Sequence, residues 1–279
     1  NTNPDISLDA CFAESLPVAG DIGFVSQSGA LGGGILNILK DLNLGFAQFV
    51  SIGNQADVNA ETALEYWEND PEVKQILLYM ESIPDPVNFR RLASRISKKK
   101  PVLALKAGRS AAGASAASSH TGSLAGGDRA ADALLKQSGV IRELSLRELF
   151  SSAKVFANCP IPKGDRVAIV TNSGGPGIMA TDAICGHGMQ MARISDETKA
   201  KLREFLPAAA SVKNPVDMIA SAPLEHYRRT VETVLADPEV DMVMVIYLPF
   251  LGLKDIDVAQ ALMEIRAAHP EKPIVGVFM

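Results

Sequence analysis

The chain has 279 residues, of which 47% are hydrophobic and 21% charged, and its formal net charge is −5. These fractions are typical of globular proteins and exclude a disordered or fibrous chain. The basic residues are outnumbered and dispersed, and the longest apolar stretch is interrupted by Pro249 and Gly252, so we expect neither a nucleic-acid-binding nor a membrane protein. With no recognisable signal peptide and three widely separated cysteines, we expect a cytoplasmic protein without a metal site.

The first half of the chain alternates between short apolar strands and amphipathic helices. We predict strands near Ile22–Ser26, Ala47–Ile52, Gln75–Met80 and Val102–Lys106. Helices are predicted near Leu31–Asp41, Ala60–Glu68 and Val87–Lys98, and a further helix begins near Asp128. This alternation predicts an α/β fold, a doubly wound parallel sheet with helices on both faces and ligands beyond the carboxyl ends of the strands.

The second half of the chain repeats motifs of the first half in the same order. Gly20–Gly29 returns as Gly164–Gly174, Asn54–Asp57 as Asn214–Asp217, Asp70–Val73 as Asp237–Val240, and Lys100–Val102 as Lys272–Ile274. Strands are predicted near Arg166–Thr171, Met189–Ile194, Met242–Leu248 and Ile274–Phe278. The common order indicates an internal duplication, although two unrelated parallel α/β domains would also share Gly-rich turns.

The duplication predicts two domains, residues 20–158 and 164–279, joined by a proline-containing linker at 159–163. Residues 1–19 show no complete element of their own. The last residues end on a strand, whereas the first copy continues well past its equivalent strand. We therefore expect the second domain to be truncated and the chain to be a piece of a longer protein.

Each copy passes from its first strand into a helix through small residues, Ser28-Gly29 in the first copy and Gly174-Gly175 with Gly177 in the second. Amide groups at a helix N-terminus bind anions without a basic side chain, and glycine lets an anion approach the backbone closely. Neither turn has the GK[ST] ending of a nucleotide P-loop, so no triphosphate is indicated. Both turns are candidate phosphate sites; the alternative is that they only cap their helices.

The turn of the second copy also permits a dinucleotide interpretation. Gly175 to Ala180 fits G-x-G-x-x-A after a strand, and Asp196 follows at the spacing of a ribose-binding acid. The match is weak because Pro176 separates the glycines and the first copy has a different pattern. An NAD-binding enzyme is therefore an alternative hypothesis.

One histidine stands in a segment made almost entirely of glycine, alanine and serine, residues 107–127. We expect this segment to be a mobile loop, because it has few side chains that could anchor it. An imidazole can accept and return a group near neutral pH, so His120 is a candidate nucleophile. The alternative is an ordinary surface histidine.

Glu81 is the natural partner for that histidine. It follows the apolar strand that ends at Met80, at the edge where the turns should also lie. A carboxylate there could accept the Nδ1 proton of an imidazole and leave Nε2 as the nucleophile. The second copy has Leu248-Pro249-Phe250 at this place and no acid, although an exposed Glu at a strand end is also ordinary.

The motifs VSQSGALG, SIGNQADV, YMESIPDP, SSHTGSLAG, TNSGGPGIMATD and NPVDM together resemble the NDP-forming acyl-CoA synthetases of the ADP-forming acetate–CoA ligase type, relatives of succinyl-CoA synthetase. The resemblance runs from about Gly20 to the end of the chain. It implies two tandem flavodoxin-like domains. It also implies that His120 is phosphorylated, that Glu81 steadies it, and that the helix N-termini at Ser28-Gly29 and at Gly174-Gly175-Gly177, one from each domain, hold its phosphate.

The resemblance implies the reaction acyl-CoA + ADP + phosphate ⇌ carboxylate + ATP + CoA, through a phosphohistidine. Coenzyme A, ADP or ATP, and phosphate are then substrates, no cofactor is covalently bound, and Mg²⁺ belongs to a nucleotide domain. The CoA-binding and ATP-grasp domains are expected in cis or on a second subunit, in an oligomer, and residues 1–19 would be the exit from the CoA-binding domain. We expect the chain alone to be inactive. The alternative is a ligase-like, acyl-CoA-responsive regulatory region of a lysine acetyltransferase, which would not require His120 and Glu81.

Overall fold

A computed structural model describes residues 1–10, 17–121, 127–250 and 252–279, with the side chains of 36–41 and 118–121 outside the described atoms. The chain forms two compact units, residues 1–158 and 159–279. The linker at 159–163 and the exit segment at 1–19 stay predictions. No helix in the described part of the chain is long and apolar enough to cross a membrane.

In the first unit, strands and helices alternate along the chain from residue 19 onward. The strands are β1 (Thr2–Asn3), β2 (Leu8–Asp9), β3 (Ala19–Ser26), β4 (Phe46–Ser51), β5 (Gln75–Met80), β6 (Val102–Lys106) and β7 (Ile141–Glu143). The helices are α1 (Gly29–Asp41), α2 (Ala60–Trp67), α3 (Pro86–Ile96), α4 (Ala111–Thr121), α5 (Asp128–Gln137) and α6 (Leu146–Asn158), and a 3-10 turn covers Pro4–Ile6. Polar side chains cap the helix starts: Asn59 accepts from Thr62 N ahead of α2 at 2.8 Å.

The sheet of this unit has the order β2-β1-β4-β3-β5-β6-β7, and its strands from β4 to β7 are parallel. Alternate residues of a strand enter two cores on opposite faces. One core contains Val25 together with Leu64 of α2 and Phe89 of α3. The other contains Phe24 together with Ile35 of α1. Because helices cover both faces, polar segments collect at the carboxyl edge of the strands.

Two predictions about this unit are wrong. Residues 1–19 do contain elements, because β1 and β2 pair antiparallel and Thr2 of β1 pairs with Phe49 of β4. The segment 107–127 is not a loop throughout, because residues 111–121 form α4. Alanine has the highest helix propensity of all residues, so a segment rich in it can be helical without anchoring side chains. Residues 122–126 of that segment lie outside the described residues.

The second unit has the same alternation. Its strands are β8 (Arg166–Thr171), β9 (Gln190–Met191), β10 (Val216–Asp217), β11 (Met242–Tyr247) and β12 (Ile274–Phe278). Its helices are α7 (Gly174–Gly186), α8 (Asp196–Arg203), α9 (Leu224–Leu235) and α10 (Asp255–Ala268). The parallel order is β10-β8-β11-β12, with β9 also paired to β8. One core joins Val170 to α8, α9 and α10, and the other joins Ile169 to Ile184 of α7.

The predicted strand at Met189–Ile194 is shortened to β9, and a side chain explains why. Asn214 Nδ2 donates to Val167 O at 2.8 Å and to Ala192 O at 2.9 Å, and Asn214 Oδ1 accepts from Ile169 N at 2.9 Å. This amide fills the ladder beside β8 between β9 and β10, where a continuous strand would otherwise pair.

The predicted fold class is confirmed: both units are α/β with parallel sheets, and they share one strand order. In that order the second strand lies outside the first, as the two short strands β9 and β10 in the second unit, and the next two strands follow on the other side, as in flavodoxin-like folds. β3 thus corresponds to β8, β5 to β11 and β6 to β12.

Candidate functional site

Three polar segments lie at the carboxyl edge of the first sheet. They are turn 1, defined as Ser26 to Gly29 between β3 and α1, then Glu81 directly after β5, and Lys106 at the end of β6. These strands are neighbours, with Ser26 paired to Tyr79 and Met80 paired to Lys106, so they end at about the same level. The predicted turn and the predicted acid therefore belong to one edge.

Turn 1 is closed by its own hydroxyl groups. Ser26 Oγ donates to Ser28 O at 2.8 Å and accepts from Ser28 N at 3.1 Å, and Ser28 Oγ accepts from Leu31 N at 3.3 Å to cap α1. The Ser28 hydroxyl is thus engaged by the helix. Gly29 and Ala30 are exposed and lie in the first helical turn, where an amide has no intrahelical acceptor. The predicted phosphate site at this turn therefore depends on these two amides rather than on the serine hydroxyl.

Turn 2, defined as Thr171 to Gly174 between β8 and α7, has the same internal bonds. Thr171 Oγ1 donates to Ser173 O and accepts from Ser173 N, both at 3.0 Å. The hydroxyl residue, its spacing and both bonds match turn 1, so the sequence repeat has a structural counterpart at this place. Gly174 and Gly175 are exposed in the first turn of α7.

Gly177 differs from the other two glycines of turn 2. It is buried, its N–H donates to Ser173 O at 3.4 Å, and a Cβ there would lie 3.3 Å from Thr171 Cγ2. Its place in the structure is close packing of α7 on β8, not an open amide. Gly174 faces a charge, because a Cβ on it would lie 3.3 Å from Asp217 Oδ2.

Glu81 is buried, and a glutamine side chain fixes its backbone. Gln27 Oε1 accepts hydrogen bonds from the N–H groups of Glu81 and Ser82, the second at 2.9 Å. All three residues are less than 9% exposed. Gln27, the second of the four residues of turn 1, thereby holds the segment that carries Glu81.

A second charged side chain, that of Lys106, lies beside Glu81 and was not predicted from the sequence. It is only 4% exposed, and its Nζ donates to Ala107 O at 2.7 Å. Burial lowers the pKa of Lys106, while the charges of Asp128 and Glu81 act in the opposite direction. Burial also raises the pKa of Tyr79, with a smaller contribution from Glu81. A cation of reduced solvation thus accompanies the carboxylate at this edge.

His120 lies in the last turn of α4, and its side chain is outside the described atoms. The start of α4 is anchored at the carboxyl edge, because Ser110 follows β6 closely and its Oγ accepts from Gly113 N at 3.0 Å. The helix lies against Gly108, and a Cβ added to this glycine would lie 3.4 Å from Ala114 Cα. Gly108 also has a positive φ of 76°, which glycine adopts readily. The backbone of the predicted nucleophile therefore belongs to a helix that starts beside Lys106.

The features behind the dinucleotide alternative have ordinary structural roles. Asp196 begins α8, is exposed, and pairs with Lys199 at 2.8 Å. In the described part of the chain no group of three His, Cys, Asp or Glu residues is arranged to hold a metal ion.

Comparison with known proteins assigns both units. Residues 19–156 match the model of the succinyl-CoA ligase like flavodoxin domain, and residues 167–278 match that of the ligase-CoA domain. The chain is 43% identical, over 99% of its length, to the ADP-forming acetate–CoA ligase II subunit alpha of Pyrococcus furiosus. The two units are thus a succinyl-CoA ligase-like flavodoxin domain and a ligase-CoA domain. The resemblance stated from its motifs is confirmed.

Other ADP-forming ligases are similar over nearly the whole chain. An ADP-forming acetate–CoA ligase I of Archaeoglobus fulgidus is 41% identical over 94% of the chain, which covers 38% of that relative. The solved acetyl-coenzyme A synthetase 1 of Ca. Korarchaeum cryptofilum, in complex with phosphate and ADP, superposes with a TM-score of 0.94 at 33% identity, over 99% of this chain and 60% of that one. The chain also covers 61% of the Pyrococcus subunit. It thus spans less than two thirds of each of these relatives.

These relatives are ligases, so the predicted assignment to central domains of an NDP-forming acyl-CoA synthetase is confirmed at the level of the family. The acetyltransferase and NAD-binding alternatives receive no support from the comparisons. The individual roles of His120, Glu81 and the turn residues stay predictions.

Three residues were not predicted from the sequence: Gln27 and Lys106 at the carboxyl edge of the first sheet, and Asp217 at that of the second. One signal could have found the first. The repeat aligns Gln27 with Asn172, and an amide at both places between two turn residues indicates a shared task. The repeat also aligns Asp217 with Asp57, although the alignment does not indicate that Asp217 faces turn 2. For Lys106 the sequence carries no comparable signal, because its relevance comes from packing.

Proposed function

We propose that this chain forms the central domains of an ADP-forming acyl-CoA ligase and that His120 carries the phosphoryl group between acyl phosphate and ADP. The observation that carries the proposal is the edge of the first sheet, where the open amides of turn 1 and the buried Glu81 are tied together by Gln27. Membership of the ligase family supports it.

The chemistry divides into two transfers at one imidazole nitrogen. In the first, His120 Nε2 attacks the phosphorus of an acyl phosphate; the new N–P bond forms as the bond to the acyl oxygen breaks, and the carboxylate leaves. In the second, a terminal oxygen of ADP attacks the same phosphorus and the imidazole leaves. Glu81 accepts a hydrogen bond from Nδ1–H throughout, so Nε2 keeps its lone pair for attack and the imidazolium character of the phosphorylated ring is stabilised.

The turns supply stabilisation without a permanent charge. Phosphoryl transfer needs positioning and neutralisation of the equatorial oxygens more than covalent help. The first-turn amides Gly29 and Ala30 offer this in turn 1, and those of Gly174 and Gly175 offer it in turn 2, each aligned with a helix dipole. Ser28 shapes turn 1 by capping α1, and Gly177 allows the close packing that places α7.

The remaining substrates require parts beyond this chain. Coenzyme A and ADP would bind to CoA-binding and ATP-grasp domains, in cis or on a partner subunit, consistent with the alpha-subunit name of the Pyrococcus relative. Mg²⁺ would accompany the nucleotide there, and we assign no residue of this chain to it. Oligomerisation and a cytoplasmic location belong to the same proposal.

The test is formation of phosphohistidine by the complete ligase. Incubation with acyl-CoA and radiolabelled phosphate should give an acid-labile, alkali-stable protein adduct. His120→Asn should abolish it, while the matched control His187→Asn should leave it, because His187 lies at the exposed end of α7 and contacts Ala183 O. Label that survives His120→Asn would contradict the assignment.

Glu81→Gln tests the second role. The amide keeps the size of the side chain but cannot stabilise a positive imidazole as a carboxylate does, so the single-turnover rate should fall by about 10²-fold or more. An unchanged rate, with the thermal unfolding also unchanged, would show that Glu81 has no part in the transfer.

A further inference from the structure

Gln27 is a buried amide whose acceptor is fully used by the backbone next to the proposed acid. Its Oε1 accepts from the N–H groups of both Glu81 and Ser82, and its Nε2 lies 3.4 Å from Ser82 Oγ. Because the acceptor faces two backbone donors, the orientation of the amide is determined. The side chain is 6% exposed, so water cannot substitute for it freely.

A second amide reaches the same segment from the neighbouring strand connection. Gln55 Nε2 donates to Ser82 Oγ at 3.3 Å, and Gln55 holds a left-handed backbone with φ of 59°. This contact ends on the Ser82 hydroxyl, whereas Gln27 bonds the backbone of Glu81 itself. Gln27 therefore determines where the chain leaves β5 and in which direction the Glu81 side chain starts.

The second unit provides an internal comparison. Asn172 occupies the place of Gln27, donates through Nδ2 to Leu248 O at 2.8 Å, and accepts through Oδ1 from Leu248 N at 3.0 Å. Leu248 occupies the place of Glu81, directly after β11. The shorter amide makes a reciprocal pair with one residue. The longer Gln27 instead reaches the amides of two successive residues, and this arrangement occurs in the copy that carries the acid.

We propose that Gln27 is a positioning residue of the phosphoryl-transfer site, which couples turn 1 to Glu81 by clamping the backbone of residues 81 and 82. The inference rests on the proposed role of Glu81. It adds that the acid and the anion-binding turn move as one body, so the carboxylate keeps its place when phosphate charge arrives at turn 1. A misplacement of about 1 Å can cost about 10²-fold in rate, which sets the scale of the effect.

A double-mutant cycle on histidine phosphorylation tests the coupling. With the complete ligase, acyl-CoA and labelled phosphate, Gln27→Ala should lower the single-turnover rate by about 10- to 100-fold. Glu81→Gln should lower the wild-type rate strongly but should lower the Gln27→Ala rate by less than about threefold, because a misplaced carboxylate has little left to lose. The Michaelis constant for phosphate should change less than the rate.

A matched cycle pairs Asn172→Ala with Glu81→Gln. Asn172→Ala breaks the equivalent bonds in the unit without the acid, so its effect should multiply with that of Glu81→Gln. If Gln27→Ala does not fold, Gln27→Asn replaces it, since it keeps the amide but withdraws it by one methylene.

The outcomes separate the inference from the proposed function. Effects of Gln27 and Glu81 that simply multiply, or a raised Michaelis constant for phosphate with an unchanged rate, would overturn the positioning role and leave Glu81 in place. A Glu81→Gln variant with the wild-type rate would overturn the role of Glu81 and the inference together.

Discussion

The two turns differ in the charge that faces them, and this difference gives a quantitative prediction. The Cβ position of Gly174 in turn 2 lies 3.3 Å from Asp217 Oδ2, whereas that of Gly29 in turn 1 lies 3.5 Å from Ser51 Oγ. Asp217 ends β10 beside β8, and Ser51 ends β4 beside β3, so the neighbouring strand presents a carboxylate to one turn and a hydroxyl to the other. Turn 1 should therefore bind phosphate more tightly than turn 2.

Asp217→Asn removes the charge and keeps the local structure. The Oδ1 atom of Asp217 accepts from Ile219 N at 2.9 Å, and an asparagine oxygen can accept the same bond. A phosphate on the turn would lie about 5 Å from the carboxylate, where two unit charges repel by about 0.8 kcal/mol in water. For a phosphate with a charge between −1 and −2, the variant should gain about 0.8–1.7 kcal/mol, or about 4- to 17-fold in affinity.

Phosphate titration at low ionic strength measures the effect, with binding at turn 2 followed by the chemical shifts of Gly174 and Gly175. The gain should shrink in 0.5 M salt, because salt screens exposed charges over about 4–5 Å. The reciprocal variant Ser51→Asp should weaken binding at turn 1 by a similar factor. An unchanged or weaker affinity in Asp217→Asn would refute the electrostatic reasoning for turn 2.

Two further predictions concern stability. Gly23→Ala should lower the free energy of unfolding by about 1–3 kcal/mol, because its Cβ would lie 2.9 Å from the buried ring of Trp67. Gly33→Ala in α1 should instead raise the free energy of unfolding by about 0.5–1 kcal/mol. Thermal or urea unfolding compares the two variants, and equal effects would contradict the packing argument. The hydrogen-bonded ion pair of Glu68 with Arg95, at 2.5 Å, holds the pKa of Glu68 at about 2, below its ordinary 4.5. The stabilisation by this ion pair is therefore complete above pH 4.5 and is lost as the pH falls towards 2. Glu68→Gln should be less stable than wild type at pH 7, and the difference should disappear near pH 2.

The strands show how far the sequence predicts this fold. Gln75–Met80, Val102–Lys106, Arg166–Thr171 and Ile274–Phe278 are predicted to the residue, because continuous apolar runs bounded by polar residues identify buried parallel strands. β9 was predicted too long because periodicity does not register that the Asn214 side chain replaces backbone pairing. The local sequence pattern predicts backbone pairing, but it does not show where a side chain distant in sequence replaces that pairing.

Helix α4 and Lys106 show the limits at the site itself. The glycine and alanine content of 107–127 indicates mobility when side-chain anchoring is considered. The same small residues, however, let α4 pack so closely on Gly108 that a Cβ there would lie 3.4 Å from Ala114 Cα. Lys106 is part of an apolar strand, and the charges that act on its pKa include Asp128 and Arg142, which lie 22 and 36 residues further along the chain. Motif and spacing identify a candidate acid and turn, but the charges around them require the folded chain.

The duplication separates what the fold requires from what the chemistry requires. Ser26 and Thr171 close their turns with the same two bonds. Gln27 ties turn 1 to the segment after β5, and Asn172 ties turn 2 to the segment after β11. Those bonds satisfy buried backbone groups, so either copy loses stability without them, whatever it binds. These backbone bonds do not depend on the side chain of the residue that the amide holds. At this residue the copies differ, with Glu81 in the first unit and Leu248 in the second. A duplicated scaffold can therefore retain two anion turns while placing the acid for proton and phosphoryl chemistry in only one of them.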